Sequence, residues 1–226
     1  MLKAARWGGL VLAVTVAPAL HGQELAAVCQ ASRKATVGQW ASYQINGGPH
    51  NGVTMRFAIV NTERRGDSTL YWFEVSTVSP NDASRSGVMQ MLVPSFDVER
   101  SGIRGLVMKM GSQPALKMPD QMIGMMGQRM GNHNPGLDMS RRCLAAQVIG
   151  SETVSVPAGS FKALHLKGAD GGEAWMSADI PFGLVKVLMK DASTMVLTGK
   201  GMDAKSSITE TPQEMPMMPA TPGMSR

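Results

Sequence analysis

Apolar and polar residues alternate with a period of two along much of the chain. In VTMRFAIV (53–60), Val53, Met55, Phe57 and Ile59 fall on one side, with Thr54 and Arg56 on the other. In LYWFEVSTV (70–78), Tyr71, Phe73 and Val75 oppose Trp72, Glu74 and Ser76. A strand sends successive side chains to opposite faces, so each set defines one face of a sheet. Comparable runs at 37–45, 87–93, 103–110, 152–156, 161–167, 173–180, 184–190 and 194–200 bring the total to about ten strands. The links are short and rich in turn formers: NGGPHNG, ERRGD, PAGS, GADGG, IPFG and KDAS. Such links, with few helices between them, predict consecutive antiparallel strands in a mainly β domain with one or two short helices.

Two internal segments break the alternation. QELAAVCQASRKA (23–35) predicts a short helix. KMPDQMIGMMGQRMGNHNPGLDM (117–139) holds six of the chain's 20 methionines. Met118, Met122, Met126 and Met130 recur every four residues, and Met125 stands three after Met122, a spacing that lays them on one helix face. Pro119 suits the first turn, and Gly131 with NHNPG suits the stop. The pattern predicts an amphipathic Met-bearing helix inserted between two halves of a sheet. At the C-terminus, four prolines without periodicity predict a disordered Met/Pro-rich tail over 209–226, which leaves one β-rich domain over 23–208.

The N-terminus changes the picture of where this domain works. A basic MLKAARW precedes the apolar GGLVLAVTVAPAL, and Ala17 and Ala19 supply small residues for cleavage, so 1–22 reads as a cleaved export signal. The apolar run is too short to span a membrane, and no other segment comes closer. The expected location is periplasmic or secreted. There, Cys29 and Cys143 most simply form one disulfide. LAAV before Cys29 suggests a lipid-attachment site, but Val28 is poor directly before such a cysteine and the apolar run ends too early. Lys3 and Arg6 leave with the signal, so 20 of the 22 bases remain against 17 acids. They are scattered, apart from Arg64-Arg65 and Arg141-Arg142, with no basic stripe and stacking aromatics of the kind nucleic-acid binding needs.

Candidate chemistry is sparse. There is no H-E-x-x-H, no G-x-S-x-G, no phosphate-cradling loop and no C-x-x-C, and nothing implies a cofactor or a catalytic residue. Past the signal, histidine occurs at His50, His133 and His165. His165 shares a strand face with Phe161 and Ala163 and reads as packed or hydrogen-bonded, whereas Glu173 and Asp179 read as a solvent face. The methionines support two readings. Thioether sulfur suits Cu(I), for which Met122, Met126 and Met130 with His133 supply ligands. Alternatively, Met118, Met122, Met125, Met126 and Met130 form an adaptable apolar surface for a lipid-like ligand. Met55, Met89, Met91, Met108, Met110, Met176, Met189 and Met195 lie in strands, so the chain uses methionine as a general hydrophobe, which favours the second reading.

The most pattern-like part is SETVSVPAGSFKALHLKG (151–168) followed by GGEAWMSADIPFGLVKV (171–187). It resembles the V-x-V-P-A-G-[ST]-F hairpin, W-containing strand and G-L-V-K strand of exported bacterial proteins of unknown function. Those families are similar to the lipoprotein-carrier fold, a strongly curved antiparallel half-barrel with helices over its concave side. The resemblance implies that fold and no catalytic residue. It would lay the Met-bearing helix over the concave side to close an apolar cleft, with Arg104, Lys109 and Arg129 as polar groups for its mouth by position.

Overall fold

The computed structural model describes residues 18–94, 102–130 and 141–216, with side chains over 24–94, 102–125 and 141–216. The alternating runs become strands of one curved, unclosed sheet, half-barrel-like in form. Strands β1 (Trp40–Asn46), β2 (Thr54–Arg65), β3 (Ser68–Val78), β4 (Gly87–Val93), β5 (Gly105–Met110) and β6 (Leu116–Lys117) make one antiparallel meander. Strands β7 (Gln147–Val156), β8 (Gly159–Lys167), β9 (Glu173–Met176), β10 (Leu184–Leu188) and β11 (Thr194–Gly201) make a second. The meanders join where β1 pairs antiparallel with β11, and β12 (Gln213–Glu214) lies parallel to β6 at the far edge. All ten expected strands are present. The two additions, β6 and β12, have two residues each and are too short to show a period.

Among the described residues, three α-helical pieces accompany the sheet, with two single 3-10 turns at Gly48–His50 and Ala83–Arg85. Helix α1 (Pro18–Ser32) spans the expected signal boundary and stops short of Ala35, while residues 1–17 lie outside the described residues. Helix α2 (Asp120–Met130) follows Pro119, whose carbonyl accepts from the Met122 and Ile123 N–H groups. A helical turn, α3, covers 141–145. Among the described residues, no helix is long and apolar enough to cross a membrane.

One face of the sheet, the inner one, carries the main core. Ala41, Tyr43 and Ile45 of β1 meet Met195 and Leu197 of β11, Leu164 and Leu166 of β8, and Val28 and Cys29 of α1. The Tyr43 O–H reaches across β11 to donate to the Leu184 carbonyl at 3.3 Å, and burial pushes its phenol well above the usual range. Phe182, in the turn after β9, is buried against Phe57 and Phe73 at ring-centroid distances of 6.0 and 5.6 Å. Its φ of 63° lies in the left-handed region that non-glycine residues rarely adopt. The IPFG segment is thus a turn, as expected, but one that plugs the core. Cys29 and Cys143 form the expected disulfide, with 5.8 Å between Cα atoms, and it ties α1 to α3 over the inner face.

The outer face has a different cover. From β11 the chain runs back across β1 to β6 as a strap. The Ala204 N–H donates to the Gly38 carbonyl, and the Trp40 indole N–H donates to Asp203 at 2.7 Å. Ser206 and Ser207 sit over β3 and β4, where Gln90 and fully buried Glu74 hold them. Beyond them, Ile208 packs with Val107 and Ala115, Glu210 pairs with Lys109, and Gln213 and Met215 donate to the Ala115 and Lys117 carbonyls. Residues 209–216, expected to open a disordered tail, therefore continue the strap. Lys109, Ala115 and Lys117 give their polar groups partners that composition alone does not reveal. Residues 217–226 lie outside the described residues.

Candidate binding face

The inner face is built in rows, because cross-strand partners point the same way. Ile59, Phe73, Met91 and Leu106 form one row across β2 to β5, and all four are buried. The next row, Phe57, Val75, Met89 and Met108, packs against the core but remains half-buried. At strand spacing it is about 14 Å long. Beyond it lie half-buried Met55 and exposed Met110. The Met110 thioether lies over Gly87, where an added Cβ would come within 2.7 Å of Sδ. The apolar surface thus continues past the buried core with methionine as its main component. Alternation identified this face, but it could not show which row the helices leave partly uncovered.

The predicted Met stripe is only partly assembled. Met118 is buried, but it lies in the extended link before α2 rather than on the helix, with its N–H donating to the Leu106 carbonyl at 2.9 Å. Among the described side chains of α2, Met122 and Ile123 pack on the core. Met125 does not join them, being 47% exposed. The side chains of Met126 and Met130, and all of His133, lie outside the described residues. Of the four residues nominated as copper ligands, Met122 alone can therefore be placed, and it packs as a hydrophobe. Among the described residues, no group of three or more His, Cys, Asp or Glu residues could hold a metal ion.

The polar groups expected at a mouth are also redistributed. Lys109 alternates with Met108 and so points to the outer face, where it meets Glu210. The carbonyl of exposed Arg104 accepts from Arg65, whose other contacts are Glu63 and, at 4.0 Å, Asp120 at the start of α2. The Arg129 side chain lies outside the described residues.

His165 lies among hydrogen-bonding and packing partners. Its ring stacks on Trp175 at 4.2 Å, with Glu173 at 2.9 Å from Nε2 and Glu152 at 3.5 Å from Nδ1. The Trp175 indole N–H donates to Glu152, and the Lys186 ammonium lies 4.6 Å from the Trp175 ring. The two carboxylates flank opposite nitrogens of one imidazole, so both ring nitrogens are engaged within this cluster. Asp179 lies beyond the end of β9 and takes no part.

No family model and no curated protein matches this chain. Among solved structures it is similar to MucB, at 10% identity and a TM-score of 0.44, over 84% of this chain and 61% of that one. It is also similar to LprF from Mycobacterium bovis, at 13% identity and a TM-score of 0.38, over 84% of this chain and 96% of that one.

Proposed function

We propose that this chain is an exported, non-enzymatic binding protein of the cell envelope, and that it holds an apolar, lipid-like ligand on the inner face beside α2. The observation that carries the reading is the half-buried row Phe57, Val75, Met89 and Met108, which extends a closed core into an incompletely covered apolar strip. Each methylene a ligand buries there is worth about 0.8 kcal/mol, so a short acyl chain along the row supplies useful affinity without any specific polar contact. Methionine suits the task, since its unbranched thioether adapts to irregular apolar shapes. The leader pattern and the Cys29–Cys143 disulfide both support an oxidising compartment.

Native mass spectrometry of the mature protein from its own host, together with displacement of a fluorescent fatty acid, tests this reading. Met108→Glu puts a charge in the row and is expected to weaken probe binding at least about tenfold, because an unpaired carboxylate resists burial. Met89→Leu and Met122→Leu keep the apolar volume and should bind the probe nearly as the parent does. A folded Met108→Glu protein with unchanged probe affinity would refute the assignment of this face.

A further inference from the structure

The disulfide gathers charge as well as chain. On the α1 side, the Arg33 Nε–H donates to the Cys29 carbonyl at 3.2 Å, and exposed Lys34 follows. On the α3 side, Arg141 and Arg142 directly precede Cys143, and both are exposed. Two basic pairs distant in sequence thus flank one cystine. Among the described residues, the acid that answers them is Asp170, 3.6 Å from Arg142. The same short segment exposes large apolar side chains. Within α3 only Cys143 turns inward, while Leu144, one turn after Arg141 and on its side of the helix, is 47% exposed. Ile149, near the start of β7, is 50% exposed.

Bases around exposed aliphatic side chains are the chemistry of a surface that meets an anionic interface, where cations face headgroup phosphates and the apolar groups enter the acyl boundary. From this charge complementarity we infer that the α1–α3 end of the molecule, with Arg33, Lys34, Arg141, Arg142, Leu144 and Ile149, docks on an anionic phospholipid surface. The docking is independent of whether the inner face holds a ligand.

Sedimentation of the mature, oxidised protein with vesicles tests it. One set is pure phosphatidylcholine and the other contains about one-third phosphatidylglycerol, which sets the negative surface potential. Binding to the anionic set alone, lost at high salt, is the expected result. Each basic residue near such a surface contributes about fivefold, so R141Q/R142Q should weaken vesicle binding about 30-fold. L144S should weaken it further. Near-UV circular dichroism, the intact disulfide mass and fatty-acid probe affinity should stay at parental values in these variants, which separates this test from that of the inner face. Binding to neutral vesicles as well, absence of binding to either set, or parental behaviour of R141Q/R142Q would overturn the inference. Displacement of the protein from vesicles by soluble polyglutamate, with L144S indifferent, would assign the bases to an acidic protein partner and overturn it too.

Discussion

Glu74 is a carboxylate with no exposed surface, and its surroundings explain how it stays there. The Ser207 N–H and O–H donate to it at 2.9 and 2.6 Å, Gln90 donates at 2.8 Å, and Arg56 stands 3.9 Å away. Burying a charge is tolerable only with such a complement of donors. Glu74→Leu orphans three donors and is expected to cost about 3–5 kcal/mol, measured as a lower urea midpoint with an unchanged slope. Glu74→Gln keeps the shape and should cost clearly less. The alternation of LYWFEVSTV correctly set Glu74 on the face opposite Phe73, but it carried no sign of what covers that face. Its cover comes from Ser206 to Ile208, more than a hundred residues downstream, and no local pattern announces such a contact. Phe182 is a second residue whose place depends on distant strands. Its turn motif was legible, whereas its left-handed backbone and core position depend on Phe57 and Phe73, which belong to other strands.

At the scale of elements, the strap is built to respond to pH at both of its ends. Asp203 and Glu210 both have carboxyls held below the ordinary range, mainly by the hydrogen bonds from Trp40 and Lys109 respectively. A depressed folded pKa contributes stability that is complete above the unfolded value, near pH 4, and is lost as pH falls through the lower folded value. The strap should therefore loosen from its two ends below about pH 4, before the disulfide-tied core does. Amide exchange over residues 203–215, followed as pH is lowered, checks this, and Asp203→Asn should lower protection at the Trp40 end already at neutral pH and remove that end's pH dependence. Equal protection of strap and core at every pH would contradict it. The strap went unread because β6 and β12 have two residues each and its prolines mimic a disordered tail. Helix α2 was legible from its four-residue methionine spacing, though Met118 proved to belong to the approach and Met125 to the exposed side.

For the molecule as a whole, the expected class of fold came through because ten runs alternate strongly enough to be counted. The expected inner apolar face came through as well. What the pattern could not supply was the pairing of the first strand with the last long one, since register between distant strands leaves no local trace. The disulfide closes a separation of 114 residues, for which chain entropy gives about 4.8 kcal/mol. Its reduction should lower the melting temperature by roughly 10–15 °C, read by calorimetry with and without reductant. The β1–β11 seam bears on kinetics. Trp40 pairs with Gly201, so the first meander leaves β1 unpaired on one side until nearly all of the chain has emerged. A chain that crosses a membrane N-terminus first would stand half-assembled, with an open hydrogen-bonding edge, until its last long strand arrived. Folding should accordingly be slow for its size, in milliseconds to seconds, as non-local strand pairing dictates. During that interval the bare edge of β1 is the place where a chaperone would have to act.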